Sequence, residues 1–215
     1  MSPRTLPQTP TAQRQQRRIA YLESESAYVN LAGEYDYLTS PYYDSQDLEN
    51  AGKKVYPACK DTLDAYVVPL FLEKAKLAGL PVPTFFITND YFEPPALVDT
   101  VNPYMSTQSI VRKPQQRDAI CMSMTRNHTY AICCQVLTET SRVGQFRMVL
   151  GKCSTPKYRP LAETIWKVFR IPIATIRIIT ESDGTAMVSA MRPLPYASLS
   201  AAELAVVEKA VTWRT

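Results

Sequence analysis

Four tyrosines lie close together in the sequence, and their side chains could line a binding site. Tyr35, Tyr37, Tyr42 and Tyr43 fall within nine residues, on either side of a Ser-Pro step. A tyrosine combines a large apolar ring with a polar tip, which suits a ligand wall, a protein interface or the edge of an ordinary α/β core. If the first two lie on a strand, they point to the same face. We treat the four as a candidate binding cluster and assign them no catalytic role.

Residues that could catalyse a reaction are scarce. The chain has one histidine, His128, in the segment TRNHTY, which we expect to form an exposed turn. The glycines are all isolated from one another, so the sequence has no Gly-rich phosphate-binding loop. Acid pairs such as Glu34 and Asp36 follow strand spacing, but solvated charge explains them as well as general acid–base chemistry does. The sequence therefore predicts no catalytic residue.

Cysteine spacing, charge and hydropathy argue against several further classes of function. The five cysteines include no C-x-x-C pair, so we expect no metal site and no thioredoxin-like centre. The net charge of +4 is small, and outside the N-terminus basic residues are mixed with acidic ones, so we expect no nucleic-acid partner. No apolar run approaches the roughly 18 residues that span a bilayer, and the N-terminus lacks the apolar core of a secretory signal. We expect a cytoplasmic protein with reduced thiols and no membrane association.

The chain begins with a segment unlike the rest. Residues 1–17 are rich in arginine, glutamine and proline and lack acidic residues, which predicts a disordered basic tail. Residues 18–215 are predicted to form a single α/β domain of mixed α+β type. The proline-rich segment 89–103 is a candidate boundary between two subdomains, 18–90 and 104–215.

The first half is predicted to hold a βαβ-type unit with short parallel strands. The strand AYVNL precedes a helix that starts at Ser40 and Pro41 and ends at Gly52, and the strand KKVYP follows. A second helix is predicted over residues 61–76, where Pro69 should bend or split it.

The second half is predicted to be β-rich. QSIVRK, AICMSM, YAICCQVL and QFRMVLGK are apolar runs that favour strands, with TRNHT as the turn of a hairpin. A helix fits TPKYRPLAETIWKVFR, and a hairpin is predicted around TESDG, because Asp-Gly accepts positive φ. A C-terminal helix should follow Ser200, with Glu203 at the capping-box position.

The C-terminal helix, predicted over residues 201–213, carries a candidate partner interface. Leu204 and Val207 are expected to pack on the protein's own sheet. Trp213 lies close to the end of the sequence, where chain ends fray and a large aromatic side chain gains little from its own domain. Val211 and Trp213 would then form an exposed apolar patch for a partner.

Two stretches resemble the RimK-like ATP-grasp N-terminal domain. VNLAGEYDYLTSPYYDSQDLENAGKKVYP is similar to its opening strand, turn, helix and short strand. FRMVLGKCSTPKYRPLAETIWKVFRIPIATIRIITESDGTAMVSAMRPLPYASLSAAE is similar to its closing helix, hairpin and PLP-x-x-SLS step. One departure is the pair Ser40–Pro41, which replaces a glycine before the tyrosine pair.

The resemblance implies a role in a RimK-like ATP-grasp carboxylate–amine ligase system. In that family the domain precedes a ligase core, where lysines bind the ATP phosphates and carboxylates hold magnesium. We expect no such core in this chain, so the resemblance implies a non-catalytic accessory or N-terminal domain that positions substrate or partner. The chain alone is expected to bind no cofactor, whereas ATP and Mg²⁺ belong to the associated core. The implied partners are that ligase core or subunit and a peptide or amino-acid substrate.

Two alternatives stay open at the level of sequence. The chain could be an independent small enzyme with a pocket near Tyr35, Tyr43 and Arg192, which adds Arg192 to the candidate binding residues. It could instead be a peptide-binding module that uses an exposed strand edge of the β-rich half.

Overall fold

The computed structural model describes residues 19–102 and 107–213. These residues form a mixed α+β fold with three β-sheets, which confirms the predicted fold class. The tail predicted for residues 1–17 lies outside the described residues.

The elements follow one another closely along the chain. The strands are β1 (Ile19–Leu22), β2 (Ala27–Asn30), β3 (Val55–Tyr56), β4 (Phe85–Thr88), β5 (Ala96–Thr100), β6 (Gln108–Val111), β7 (Ile132–Val136), β8 (Arg142–Val149), β9 (Ile173–Thr180), β10 (Ala186–Pro193) and β11 (Thr212–Trp213). The α-helices are α1 (Ser40–Asn50), α2 (Cys59–Tyr66), α3 (Val68–Leu77), α4 (Pro114–Thr125), α5 (Arg159–Phe169) and α6 (Ala201–Ala210).

The first sheet has the strand order β11-β1-β2-β3 and contains the predicted βαβ-type unit. Strands β2 and β3 are parallel, and helix α1 connects them. Pro41 lies in the first turn of α1, and Gly52 after its end has a φ of +71°, as expected for residues that begin and end a helix. The next predicted helix is split at Val67, because Pro69 occupies the first turn of a new helix, α3.

The second sheet is antiparallel, with the order β4-β7-β5-β6. Strand β4 precedes the proline-rich segment and pairs with β7, which follows it. The division into subdomains 18–90 and 104–215 stays a prediction.

One predicted strand of the second half is a helix. AICMSM forms the end of α4, and the preceding residues PQQRD, which the sequence predicts to be a turn or short loop, form its first turn. Cys121, Met124 and Thr125 are its buried residues, and their spacing of three and four places them on one helical face. Residues 126–128 then form a left-handed connection from α4 to β7, with φ values of +52°, +54° and +64°, rather than the turn of a β-hairpin.

The third sheet is the antiparallel meander β10-β9-β8. The predicted hairpin between β9 and β10 is confirmed, with Gly184 at a φ of +86°. Helices α3 and α5 pack in the main core beside this sheet, where the rings of Phe71 and Phe169 stack at 4.8 Å between centroids.

The last helix is shorter than predicted. Ser200 and Glu203 form the expected capping box, but α6 ends at Ala210. Val211 is already extended, and Thr212–Trp213 pairs antiparallel with β1. Strand pairing at this edge of the first sheet satisfies the backbone that a longer helix would have used, and it places Trp213 on a strand instead of a helix.

Candidate functional site

The structure separates the four tyrosines. Tyr35 is fully buried in the main core, and its hydroxyl donates a hydrogen bond of 2.7 Å to the carbonyl of Asn30. Burial raises the pKa of Tyr35 well above its usual value. Tyr37 is 45% exposed. Residues 31–38 form a loop and not a strand, so the rings of Tyr35 and Tyr37 do not share a face. Tyr42 and Tyr43 start α1 and contact each other edge to face, with 5.4 Å between their centroids.

The tyrosine loop, which we define as residues 31–39, is docked on the segment that follows β10. The amides of Leu194 and Tyr196 donate hydrogen bonds to the carbonyls of Gly33 and Ala32, at 3.1 and 2.9 Å. Gly33 has a φ of +85°, and a Cβ atom there would lie 1.9 Å from the carbonyl oxygen of Leu194. Glycine is therefore needed at this close approach. These hydrogen bonds hold together the two stretches that carry the family resemblance, because the loop belongs to the first stretch and the segment after β10 to the second.

A buried polar cluster lies between the second and third sheets. Asp99 on β5 and Arg177 on β9 are 2% and 4% exposed, and they form a two-pronged ion pair with N···O distances of 2.7 and 2.6 Å. The side-chain amide of Gln135 on β7 donates a further bond of 3.0 Å to Asp99. Both carboxylate oxygens of Asp99 thus accept hydrogen bonds, from Arg177 of the third sheet and from Gln135 of the second. We call Asp99, Gln135, Arg177 and Ser189 the inter-sheet cluster.

A β-bulge brings the fourth member into the cluster. The register between β9 and β10 shifts between Val188 and Ala190, which leaves Ser189 without a partner residue on β9. Bulges re-aim side chains, and here the hydroxyl of Ser189 accepts from Nε of Arg177 at 2.9 Å and donates to Oε1 of Gln135 at 2.8 Å. The cluster is therefore a closed ring of hydrogen bonds, which is how a buried ion pair offsets its desolvation.

A second arginine flanks this ring. Arg192, also on β10, lies 3.7 Å from a carboxylate oxygen of Asp99 and donates a 2.9 Å bond to Oε1 of Gln108 on β6. The same Gln108 oxygen accepts a hydrogen bond from Arg177. Burial and the positive charge of Arg177 lower the pKa of Arg192, although Asp99 opposes the shift. Two guanidinium groups thus share one carboxylate.

A cavity of about 210 Å³ opens beside these arginines. Its lining residues come from β6, β8, β9 and β10: Gln108, Val143, Gly144, Gln145, Thr175, Arg177 and Arg192. The charged side chains among them are both arginines, and the glutamines and the threonine add neutral hydrogen-bonding groups. We call this cavity the arginine pocket. It can hold a polar or anionic group rather than an apolar one.

Arg192 is the sequence-predicted binding residue that lies on the arginine pocket. None of the four tyrosines is among the residues that line it. The structure does not bring the tyrosines and Arg192 together at this cavity.

Other residues with side chains that could take part in a reaction lie away from the pocket. His128 is exposed, and its ring Nδ1 lies 2.7 Å from the carbonyl of Asn89. Burial and the hydrogen bond with Glu49 raise the pKa of the Cys59 thiol to about 12, so little reactive thiolate exists at neutral pH. Within residues 19–102 and 107–213, no group of three or more histidine, cysteine or acidic side chains could hold a metal ion.

The candidate interface at the C-terminus is divided between two environments. Val211 is partly buried against the cluster of apolar residues under α6. Trp213 is 36% exposed and lies on β11, the outermost strand of the first sheet.

Sequence reasoning missed the inter-sheet cluster. Asp99 and Arg177 each stand alone inside an apolar strand sequence, ALVDT and ATIRII. A buried charge must be paired, so one acid and one base isolated in buried strands could have been matched to each other. The β-bulge at Ser189 and the position of Gln108 had no comparable signal.

Comparison with known families identifies the second half of the chain. A family model described as the RimK-like ATPgrasp N-terminal domain matches residues 97–210, which is more than half of the chain. The chain belongs to this family. The second of the two resembling stretches lies inside the matched segment, and the first lies before it. In the RimK-like chain described here, all four residues of the inter-sheet cluster fall within the match. No curated protein matches the chain at a significant level.

Several solved ATP-grasp ligases share the fold of this RimK-like chain. The ATP-grasp ligase PsnB, in a complex with a precursor variant, Mg and ADP, is 16% identical, with a TM-score of 0.53 over 75% of this chain and 60% of PsnB. A RimK domain protein from Sphaerobacter thermophilus is 14% identical, with a TM-score of 0.56 over 77% of this chain and 71% of that protein. D-Alanine-D-alanine ligase from Helicobacter pylori is 12% identical, with a TM-score of 0.55 over 76% of this chain and 66% of that enzyme.

These likenesses concern the fold alone. The RimK-like chain spans about 60% of the length of PsnB. Among the described residues, no helix is both long and apolar enough to cross a membrane.

Proposed function

We propose that this RimK-like chain is a non-catalytic accessory domain of an ATP-grasp carboxylate–amine ligase system, in which it positions substrate or partner for a ligase core. In this proposal the ligase core binds ATP and Mg²⁺. The chain supplies a docking surface and the arginine pocket. We further infer that the system works in the cytoplasm, where the five free cysteines stay reduced.

The pairing of Asp99 is the observation that carries this proposal. Mg²⁺ binds through oxygen ligands, mainly carboxylates, in a near-ideal octahedron. The carboxylate beside the arginine pocket is held on both oxygens by Arg177, and the pocket itself is lined by arginine and glutamine side chains. These residues do not fit a magnesium ion. Both oxygens of Asp99 accept hydrogen bonds from Arg177, so this carboxylate is not free to act as a general base.

The solved relatives support a division of labour. PsnB was solved with Mg and ADP, with AMPPNP, and with its precursor peptide. Those complexes belong to PsnB, of which the present chain spans about 60%. The proposal assigns nucleotide chemistry to a separate core and recognition to this chain.

The partner surface in this proposal is the patch of Val211 and Trp213. Trp213 presents a large aromatic side chain at the outer strand of the first sheet. Aromatic side chains of this kind are enriched at protein interfaces, where one fully covered tryptophan can contribute much of the binding energy.

The test measures ADP release by the ATP-grasp ligase encoded nearest to this chain in its genome, with and without the chain. We expect the chain alone to release no ADP above background, and we expect the ligase to turn over faster with its substrate when the chain is added. Trp213→Ala should reduce this stimulation, whereas Trp166→Phe, a change inside the fold, should not. Stimulation that is absent in all mixtures would sink the proposal.

A second candidate function rests on the edge of the second sheet. Strand β4 is an outer strand, and Phe86 and Ile87 on it are exposed. An extended peptide could add to such an edge through backbone hydrogen bonds. Titration with the substrate peptide of the partner ligase tests this, since Ile87→Asp should abolish binding while Leu77→Asp, an exposed change on α3, should leave it intact. Equal binding by the two variants would reject the strand-addition role.

A further inference from the structure

Gln108 places a neutral oxygen between two positively charged groups. Its Oε1 atom accepts hydrogen bonds from Arg177 and from Arg192. A guanidinium binds a carboxylate by charge–charge attraction as well as by hydrogen bonds, and a neutral amide oxygen offers only the hydrogen bonds. A carboxylate oxygen in the same position would therefore bind more favourably than the amide oxygen does.

The charge balance of the site also favours an anion. Arg177 and Arg192 both line the arginine pocket, while Asp99 lies behind Arg177 and does not line it. Arg192 lies beside Arg177 in the lining of the pocket, and burial and the positive charge of Arg177 lower the pKa of Arg192. A ligand that enters the pocket meets two cations before it meets an acid.

The pocket has room and a side chain that can move. Gln108 is exposed and lies on β6, the outer strand of the second sheet, so it can turn away from the arginines without disturbing the core. Gly144 is among the lining residues and contributes no side chain to the cavity. Drug-sized ligands occupy cavities of roughly 300–1,000 Å³. A volume of about 210 Å³ suits a smaller group, such as a short carboxylic acid or the acidic end of a peptide.

We propose that the arginine pocket binds the carboxylate group of a small ligand between Arg177 and Arg192, without a metal ion, by displacing the Gln108 side chain. The carboxylate accepts hydrogen bonds from both guanidinium groups, and Thr175 and Gln145 contact the remainder of the ligand. Only the further step, that this carboxylate is the substrate of the ligase system, rests on the proposed function.

Thermal unfolding of the full chain with succinate as the probe tests this assignment. The titration contains EDTA, and sodium chloride at equal ionic strength and inorganic phosphate are run in parallel. We expect a saturable rise in Tm with succinate that chloride does not give, because a ligand that binds only the folded state stabilises it. Arg192→Gln should weaken succinate binding at least tenfold. Arg142→Gln removes the same charge from an exposed position of β8 outside the pocket and should leave binding unchanged.

A second variant provides the carboxylate within the protein. Gln108→Glu should place a charged oxygen between the two arginines, raise Tm by about 2–4 °C and abolish the succinate response. Gln115→Glu, an exposed change in the first turn of α4, adds the same charge outside the pocket and should leave the succinate response intact. The positive expectation for Gln108→Glu keeps the test decisive even if Arg192→Gln is poorly folded.

Three results would overturn the proposal: no saturable response to succinate, a response that requires a divalent cation, or a response to phosphate alone. The two proposals can fail separately. Succinate binding together with ATP turnover by the chain alone would reject the accessory function and keep the carboxylate pocket. Stimulation of a ligase core without succinate binding would do the reverse.

Discussion

The tyrosine loop and the inter-sheet cluster are opposites in sequence and in structure. The tyrosines are close together in the chain, but the fold buries Tyr35 in the core and leaves Tyr37 and Tyr43 exposed. Asp99 and Arg177 are 78 residues apart, but they form a closed ion pair between two sheets. The fold thus separates residues that are close in the sequence and brings together residues that are distant in it.

The difference shows what each kind of pattern reports. A run of similar residues on a loop reports local composition, because a loop turns successive side chains in different directions. A single charge inside a buried strand reports a long-range contact, because it is costly unless an opposite charge meets it. In this protein the two isolated charges lie beside the arginine pocket. The segment that carries the tyrosines includes a loop docked on the segment after β10.

The largest effect is expected for breaking the inter-sheet cluster. Asp99→Ala leaves Arg177 buried without its counter-charge and should lower the free energy of unfolding by about 3–5 kcal/mol. Chemical denaturation monitored by circular dichroism measures it.

The double variant Asp99→Leu with Arg177→Met is the control. Apolar replacement of a whole buried ion pair is often neutral, so the double variant should recover most of the loss. If it is as unstable as Asp99→Ala, the cost lies in the surrounding packing and not in the unpaired charge.

The next effect concerns the docking of the tyrosine loop. Gly33→Ala requires a left-handed conformation and brings a Cβ atom onto the Leu194 carbonyl, so it should cost about 3 kcal/mol. Gly52→Ala requires the same kind of conformation, but nothing lies within 4 Å of its Cβ, so the expected cost is about 1–2 kcal/mol. Urea denaturation of the two variants separates contact from conformation, and equal losses would mean that the close approach is unimportant.

A smaller effect distinguishes the tyrosines themselves. Tyr35→Phe removes the buried hydroxyl that donates to Asn30 and should cost about 1 kcal/mol. Tyr43→Phe, at an exposed ring, should change the free energy of unfolding by less than about 0.5 kcal/mol. The same loss at both positions would show that the tyrosines act as one cluster after all.

Much of the fold could be predicted from the sequence where local signals were strong. Pro41 and Gly52 mark the ends of α1, Pro69 splits a helix, and Ser200 with Glu203 starts α6. The prediction of a strand for AICMSM was wrong, because a short apolar run does not distinguish a buried strand from the buried face of a helix. The predicted end of α6 was wrong, because the helix is ended by pairing of β11 with β1, which is a long-range contact.

The candidate site was less predictable than the fold. Arg192 was included in a predicted pocket, but the residues that surround it come from β6, β8 and β9. Their convergence depends on how the second and third sheets pack, and no local pattern reports that. The bulge at Ser189 is a one-residue shift in pairing that periodicity does not reveal.

A small effect on stability is also expected at the candidate interface. Trp213→Ala should lower the free energy of unfolding by less than about 1 kcal/mol, because the side chain is partly exposed on an outer strand, while binding to the partner ligase weakens. Thermal unfolding and a pull-down with the ligase measure the two effects. A loss of more than about 2 kcal/mol, the size expected when a buried aromatic ring leaves a core, would make Trp213 structural and remove it from the interface.

Calorimetric titration of the chain alone with ATP and Mg²⁺ tests the central claim most directly. The arginine pocket and the paired Asp99 predict no saturable binding of the magnesium–nucleotide complex and no release of ADP during the titration. Robust binding accompanied by hydrolysis would contradict the account, because it would show that this chain carries the ligase chemistry itself.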